Sequence, residues 1–208
     1  MSVSFSRIWS SQLVVVLSLV AVLCASEAFP QPDEEAQSKT ALLIIDVQQF
    51  YFPGGAMPLV EPEAASANCR KLIEKFRRDN QMIVHVAHNA SRGAGFHRDV
   101  EPAEGEKVFV KDEVSAFNGT DLLDYLRKNR VDKLVICGMQ THMCVEAAVR
   151  AAYDLGFECV LVHDACATRA LTYGDHTTSA KDVHNSTLSS LDRVYATVVD
   201  TKTLVESE

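Results

Sequence analysis

The sequence predicts an α/β domain in which helices cover both faces of a parallel sheet. Short runs rich in Val, Ile and Leu have the length and composition of buried strands; they span residues 41–45, 82–87, 107–110, 133–137, 158–162 and 195–199. Segments with apolar residues at helical spacing separate most of these strands; they span residues 62–79, 121–129, 144–155 and 180–191. Near-continuous apolar strands that alternate with helices are typical of parallel sheets buried on both faces.

Composition limits the classes of protein and of partner. The chain has 208 residues, of which 47% are hydrophobic and 23% are charged, as expected for one globular domain. Its formal net charge is -8. Binding to nucleic acid requires a basic surface that can neutralise phosphates, so we expect no nucleic-acid partner.

The first 28 residues have the layout of a secretory signal peptide. Arg7 supplies a positive charge before an apolar run at 13–23, and the small residues Ser26 and Ala28 precede a cleavage site at Phe29. The run is shorter than the roughly 20 residues that span a bilayer. We therefore expect a secreted or secretory-pathway protein without stable membrane association after cleavage, although an N-terminal anchor is the alternative.

The rest of the chain divides into two parts. Residues 29–39 are polar and contain proline, which predicts a disordered leader. Residues 40–208 show neither an internal repeat nor a later linker, which predicts a single domain.

Three reactive side chains follow predicted strands. Asp46 ends the first strand, Lys111 follows the third, and Cys144 lies shortly after the fourth at the entrance of a predicted helix. Ligands of open α/β sheets bind beyond the carboxyl ends of the strands, so we expect these side chains to meet there. A helix entrance and a nearby cation lower the pKa of a thiol, and a carboxylate can take its proton. The pattern predicts a cysteine nucleophile with Asp46 as its base.

Each of these residues has an ordinary structural explanation when it is taken alone. An Asp at a strand end is often a turn or cap residue, a Lys after a strand is usually a solvated surface residue, and a Cys in an apolar segment is usually an inert core thiol. We adopt the core interpretation for the other cysteines of the mature chain, which are Cys69, Cys137, Cys159 and Cys166. Their disulfide pairing stays open.

Four ordered blocks of the sequence resemble the isochorismatase-like cysteine hydrolases, a superfamily that includes isochorismatases, nicotinamidases and N-carbamoylsarcosine amidohydrolases. The first block reads ALLIIDVQ at 41–48 and the second joins Lys111 to SAF at 115–117. The third, VICGMQTHMCV at 135–145, is the most specific, and the fourth reads DACAT at 164–168. The resemblance covers about residues 40–200.

The resemblance implies a catalytic triad of Asp46, Lys111 and Cys144. It also implies a cis peptide between Met139 and Gln140, and an oxyanion hole formed by the backbone N–H groups of Gln140 and Cys144. The triad acts on a small-molecule substrate through a covalent intermediate in this family.

The resemblance further implies a three-layer sandwich with a six-stranded parallel sheet of order 3-2-1-4-5-6, assembled into a homo-oligomer. Gln48 would support the site from behind Asp46 and, with Tyr51 and Phe117, belongs to the expected substrate-binding residues. We expect no cofactor.

Two departures from family patterns refine the expectation. Nicotinamidases hold a metal through an Asp-x-His pair after the second strand, but this chain reads HVAHNAS at 85–91 there. His85 and His88 are three apart in a strand and so face opposite sides, which predicts no metal site. Isochorismate hydrolases of siderophore and phenazine pathways often lack the cysteine, whereas this chain keeps Cys144.

These observations favour a hydrolase of a small amide, ureide or related C–N bond. Hydrolysis of isochorismate, a vinyl ether, is the alternative enzyme. A non-catalytic binding protein is the third hypothesis and would be expected to lack one of the triad residues.

Overall fold

The computed structural model describes residues 39–206. The predicted signal peptide (1–28) and nearly all of the predicted leader (29–39) lie outside the described residues. Among residues 39–206 the structure shows no helix with the length and hydrophobicity of a membrane span.

A six-stranded parallel sheet forms the centre of the molecule, in the order β3-β2-β1-β4-β5-β8. Its strands are β1 (Lys39–Ile45), β2 (Met82–His88), β3 (Lys107–Lys111), β4 (Val131–Met139), β5 (Glu158–Ala167) and β8 (Thr197–Val199). The predicted order is confirmed. The sixth sheet strand is β8 in chain order because a short antiparallel hairpin of β6 (Leu171–Tyr173) and β7 (His176–Thr178), which the sequence did not predict, comes before it.

Helices cover both faces of this sheet. They are α1 (Pro62–Arg78), α2 (Leu122–Lys128), α3 (Glu146–Asp154), α4 (Ala180–Leu191) and α5 (Thr201–Val205). One hydrophobic core packs α1 and α5 against the face of β1 that carries Leu42 and Ile44. A second core packs α2, α3 and α4 against the opposite face, which carries Leu43 and Ile45. The three-layer sandwich follows from this alternation of β1 side chains between two apolar surfaces.

The sequence of α1 explains both its start and its orientation. Pro62 occupies the first helical turn, where its fixed φ and missing N–H are tolerated. Its buried apolar residues fall at helical spacing along one face; they are Ala65, Cys69, Leu72, Ile73 and Phe76. Burying a side chain the size of Leu72 contributes about 1.5–3 kcal/mol.

The segment that carries Cys144 differs from the prediction. The α-helix begins at Glu146, because Thr141–Val145 forms a wider π-helical turn. In this turn the Gln140 carbonyl accepts hydrogen bonds from the amides of Met143 (3.0 Å) and Val145 (3.3 Å), on either side of Cys144. The hydroxyl of Thr141, the first residue of this turn, lies 2.9 Å from Nδ1 of His184.

Strand register brings the reactive residues to one edge. Ile45 pairs with Gly138, and His88 pairs with Lys111, so both pairs lie at the carboxyl ends of their strands. Gly138 has a φ of +128°, and a Cβ atom there would lie 2.0 Å from the carbonyl oxygen of Ile45. Only glycine therefore allows β1 and β4 to approach closely beside Asp46.

The five cysteines of the described chain are buried and carry free thiols; they are Cys69, Cys137, Cys144, Cys159 and Cys166. The sequence left their pairing open, and the structure contains no disulfide among them.

Candidate active site

Asp46 lies directly beyond the end of β1 and is fully buried. Its backbone has a φ of 50°, in the left-handed region that Asp tolerates better than most residues. The amide of Asp46 donates a 2.9 Å hydrogen bond to the carbonyl of Val86 on β2. The neighbouring strand thus holds the aspartate at the carboxyl edge of the sheet.

Lys111 connects the other two residues of the predicted triad. It is the last residue of β3, and it is buried. Its Nζ lies 2.8 Å from Oδ2 of Asp46 and donates a hydrogen bond of 3.3 Å to Sγ of Cys144. The structure therefore brings Asp46, Lys111 and Cys144 together, as their positions at strand ends predict.

His88 is a fourth member of this cluster. Its Nδ1 lies 3.1 Å from Nζ of Lys111, which also donates a 3.0 Å hydrogen bond to the carbonyl of Glu113. A charged lysine has no acceptor, so Nδ1 must accept and the ring proton must lie on Nε2. From the sequence, His88 was considered only as a possible metal ligand. Its position opposite Lys111 on adjacent parallel strands could have predicted this contact.

The thiol of Cys144 is protonated at rest. Burial raises its pKa to about 12, the negative charge of Asp46 adds to the rise, and Lys111 opposes it. This direction is opposite to the lowered pKa that a helix entrance and a lysine predict, because the sequence does not reveal how deeply the sulfur is buried. Cys144 is 5% exposed.

Burial also raises the pKa of Asp46, while the charge and hydrogen bond of Lys111 oppose the rise. Asp46 and Cys144 each place an oxygen or sulfur atom within 4.8 Å of the other. The arrangement holds a neutral thiol and a carboxylate side by side, with an ammonium group touching both. It can transfer one proton from sulfur to carboxylate when the sulfur attacks a substrate.

The peptide bond between Met139 and Gln140 is cis, which is the geometry that the resemblance implies. Gln140 is buried, and its Nε2 lies 3.5 Å from the hydroxyl of Tyr51 and 3.1 Å from Sδ of Met57. Burial raises the pKa of Tyr51, and the charges of Cys144 and Asp46 add to this rise, so Tyr51 borders the reactive cluster as an un-ionised phenol.

Gln48 supports the site through backbone contacts. It is fully buried; its Oε1 accepts from the amide of His88 at 2.7 Å, and its Nε2 donates to the carbonyls of His88 (3.0 Å) and Ala94 (2.6 Å). These bonds occupy both ends of the amide. They hold Gln48 against β2 and the loop that follows it, which is a supporting position, while its expected contact with substrate stays a prediction.

Phe117 is partly buried against the hydrophobic core that includes both Cys144 and Phe157. Its ring packs against Phe157, with 6.1 Å between centroids. Its expected place in the lining of the substrate site stays a prediction.

One group of potential metal ligands comes together among residues 39–206, formed by Asp46, His88 and Cys144. The ammonium of Lys111 already contacts all three, at 2.8, 3.1 and 3.3 Å. A divalent cation would have to displace this charge from a fully buried position. The donor set therefore fits the lysine better than a metal ion.

The other two histidines near β2 have separate partners. Nε2 of His85 lies 2.8 Å from Glu106, and the ring of His97 stacks on Phe52 with 3.9 Å between centroids. Neither belongs to the group of potential ligands.

Comparison with known proteins agrees with this geometry. The isochorismatase domain model matches residues 40–202, nearly all of the described chain. The chain belongs to the isochorismatase-like hydrolase superfamily. The predicted family is thereby confirmed, and the protein is an enzyme of hydrolase type by membership.

Two relatives match along almost their whole length. An uncharacterized isochorismatase family protein of Bacillus subtilis, YddQ, is 40% identical over 178 residues, which is 80% of this chain and 99% of the relative. The crystal structure of a protein described as an isochorismatase hydrolase from Oleispira antarctica superposes with a TM-score of 0.79. It is 41% identical, and the match covers 82% of this chain and 98% of that chain.

The names of some relatives state an activity, and two of these relatives match most of this chain. A maleamate amidohydrolase of Pseudomonas putida is 29% identical over 187 residues, covering 77% of this chain and 83% of the relative. A secreted isochorismatase effector of Verticillium dahliae, Isc1, is also 29% identical, over 181 residues that cover 82% of this chain and 93% of the relative.

Proposed function

We propose that the protein hydrolyses a small amide, ureide or related C–N bond, with Cys144 as the nucleophile of a covalent acyl-enzyme. The observation that carries this proposal is the position of the Lys111 ammonium, 2.8 Å from Asp46 and 3.3 Å from Cys144. A vinyl ether needs an acid and a water molecule but no thiol. An amide needs a nucleophile, a proton donor for nitrogen and an oxyanion hole.

The first half of the reaction uses the resting protonation of the cluster. Sγ of Cys144 attacks the substrate carbonyl carbon as its proton passes to the carboxylate of Asp46. The carbonyl oxygen becomes an oxyanion, which the backbone N–H groups of Gln140 and Cys144 stabilise. The tetrahedral intermediate then expels the nitrogen, which takes the proton from Asp46, and a thioester remains on Cys144.

The second half reverses these roles with water. Asp46 takes a proton from a water molecule that attacks the thioester, and the thiol leaves with that proton as the carboxylic acid is released. Lys111 favours the carboxylate form of Asp46 against the effect of burial and contacts the sulfur as it gains charge. The cycle consumes one water molecule and restores the neutral thiol.

Similarity supports this reaction class without identifying the substrate. The maleamate amidohydrolase hydrolyses an amide, as its name states, and resembles this chain at 29% identity.

Isochorismate hydrolysis is the second candidate, and the secreted isochorismatase effector of Verticillium dahliae favours it at the same identity. Identity therefore does not separate the two reactions. We prefer amide hydrolysis because Cys144 contacts Lys111 inside the buried cluster, where a vinyl-ether hydrolase would not require a thiol.

Substitution at the cluster tests the choice. Protein spanning residues 29–208 is assayed against a panel of small amides and against isochorismate, with variants Cys144→Ser, Asp46→Asn and, as a matched control, Cys159→Ser. We expect Cys144→Ser and Asp46→Asn to lower amide turnover by at least about a thousand-fold, because residues that act as a unit fail together. Near-normal isochorismate turnover by Cys144→Ser, combined with its loss in Asp46→Asn, would favour the second candidate.

We also propose that residues 1–28 direct secretion and that the mature chain begins at Phe29, from the charged, apolar and small-residue pattern of the N-terminus. N-terminal sequencing of protein purified from its native source is expected to begin at Phe29. An intact Met1 would contradict the proposal.

A further inference from the structure

The turn that carries Cys144 is attached to the rest of the fold by two hydrogen bonds between a histidine and a threonine. The hydroxyl of Thr141, the first residue of the turn, lies 2.9 Å from Nδ1 of His184 on α4. Nδ1 of His142, the second residue, lies 2.6 Å from the hydroxyl of Thr168, just beyond β5. Two different elements therefore hold the turn by its side chains.

The backbone of this turn explains why such contacts matter. It is π-helical, a geometry that is rare and occurs mostly at functional sites. The carbonyl of Gln140 serves two donors, the amides of Met143 and Val145, which lie on either side of Cys144. Because one acceptor is shared by two donors, side-chain contacts from neighbouring elements help to fix the place of the sulfur.

The bond between Thr141 and His184 is protected from water and has a defined direction. Thr141 is fully buried, so its hydroxyl would lose free energy if it lost its partner. Burial lowers the pKa of His184, and the positive charge of His163 adds to this effect, so the imidazole is neutral at pH 7. A neutral imidazole has one N–H and one acceptor nitrogen, which restricts how the hydroxyl can be oriented.

His184 lies outside the reactive cluster described above. Its side chain lines a cavity of about 460 Å³ between α1, β5 and α4, together with His163 and Asn68, and the triad residues are not part of that lining. An effect of His184 on a reaction at Cys144 would therefore be transmitted by the turn and by Thr141.

We propose that His184 is a positioning residue, which holds Thr141 so that the turn presents Sγ of Cys144 and the amides of the oxyanion hole to the substrate. Attack needs reacting atoms that are aligned about 3–3.5 Å apart, so a displacement of about 1 Å slows the reaction strongly. This proposal deepens the hydrolase function proposed above and rests on it for turnover, although not for the reactivity of the thiol.

Variants can remove this bond from either side. His184→Leu removes the ring nitrogens, Thr141→Val removes the hydroxyl but keeps the branched shape, and His184→Asn keeps a polar atom close to the position of Nδ1. His163→Leu, in the same cavity, and Thr187→Val, a buried hydroxyl one turn further along α4, are the matched controls.

Three measurements are made on each variant. Steady-state kinetics with the best amide substrate gives kcat and KM separately. Alkylation by iodoacetamide, followed by peptide mapping, gives the reactivity of Cys144 without any substrate. Thermal melting shows whether the variant is folded and how far its stability has changed.

We expect His184→Leu and Thr141→Val each to lower kcat by about thirty-fold while KM stays within about three-fold, since the geometry of attack changes and the substrate contacts do not. Both should also slow alkylation of Cys144. His184→Asn should recover most of the lost kcat. The double variant His184→Leu/Thr141→Val should be no slower than the slower single variant, because both changes remove the same bond.

Several results would overturn the positioning role. These are a near-normal kcat in folded His184→Leu or in Thr141→Val, a rise in KM alone, and single losses that multiply in the double variant. Equal losses in His163→Leu or Thr187→Val would also overturn it, since they would trace the effect to general packing. If His184→Leu does not fold, Thr141→Val and His184→Asn decide the question by the same criteria.

The outcomes also separate this proposal from the hydrolase function. Alkylation of Cys144 that depends on His184 and Thr141, in an enzyme that hydrolyses no amide, would support the positioning role and count against amide hydrolysis. Amide turnover that depends on Cys144 but not on His184 would have the opposite meaning.

Discussion

A buried lysine that touches an aspartate, a cysteine and a histidine influences the protonation of its neighbours. Lys111 lowers the pKa of Asp46 and of Cys144, while burial raises both. Burial dominates, which leaves the thiol neutral until the pH approaches about 12. The reactivity of Cys144 therefore depends on proton transfer to Asp46 at the moment of attack rather than on a stored thiolate.

Replacing Lys111 by methionine is expected to raise the pKa of Cys144 further and to slow its alkylation by iodoacetamide at pH 8. A loss of one charge contact at a buried site should reduce the rate by about ten-fold or more. Lys133→Met, at a partly exposed lysine paired with Glu158, is the control. An unchanged alkylation rate at Cys144 in Lys111→Met would show that the ammonium does not govern the thiol.

Activity is expected to be independent of metal ions. The ammonium of Lys111 already contacts Asp46, His88 and Cys144, and a divalent cation would meet its charge at close range. Turnover should survive exhaustive chelation and dialysis. Loss of turnover on chelation, with recovery on addition of zinc or iron, would refute this expectation.

The sequence pattern predicts which residues are reactive and at which edge of the sheet they lie, but it does not predict how their side chains are surrounded. Asp46, Lys111 and Cys144 were predictable because parallel strands end at a common edge. The raised pKa of Cys144 and the packing of Phe117 on Phe157 depend on tertiary burial, which no local pattern records. His88 was assigned to a face by strand alternation, but its contact with Lys111 required the β2–β3 register.

Glu106, the residue just before β3, links the loop after β2 to α1 and to β2 itself. Its carboxylate accepts from Nε of Arg77 at 2.7 Å, from Nη2 of Arg77 at 2.9 Å and from the amide of Ala103 at 2.9 Å, and it lies 2.8 Å from Nε2 of His85. Burial tends to raise its pKa, but these contacts together hold the pKa of Glu106 at about 2.

Glu106→Gln is expected to destabilise the fold at neutral pH by about 1–3 kcal/mol, since hydrogen bonds to charged groups are lost. A pKa lowered by folding stabilises the protein above the ordinary value of 4.5, and this contribution disappears as the pH falls toward about 2. The difference between wild type and variant in denaturant unfolding should therefore shrink from pH 7 to pH 3. Glu104→Gln, at an exposed neighbour, is the control; an equal difference at every pH would contradict the account.

Strands and helices with a strong hydrophobic period were predictable from the sequence. The two elements that were missed, the β6–β7 hairpin and the turn before α3, lack such a period. The helix of residues 180–191 is confirmed as Ala180–Leu191 because Ser179 caps it by accepting from the amide of Asp182. The hairpin of β6 and β7 was missed because its strands are short, polar and largely exposed. The π-helical turn before α3 was missed because it depends on the hydrogen bonds to Gln140, which sequence periodicity does not show.

The order and direction of the strands determine both the fold and the position of the candidate active site. Consecutive parallel strands place residues from β1, β3 and the turn after β4 at the same edge, and Gly138 allows β1 and β4 to approach there. The family, the sheet order and the hydrolase class follow from sequence and are confirmed. The substrate was not predictable, because the side chains that surround it are brought together only by tertiary structure.

In the proposed reaction Cys144 carries the acyl group during turnover. Rapid acid quench of the enzyme with its best amide substrate, followed by intact-protein mass spectrometry, should show a mass increase equal to the acyl group. Peptide mapping should place it on Cys144 and not on Cys159 or Cys166, and the adduct should be absent from Cys144→Ala. Steady turnover without any covalent adduct, together with activity retained in Cys144→Ala, would rule out Cys144 as the nucleophile.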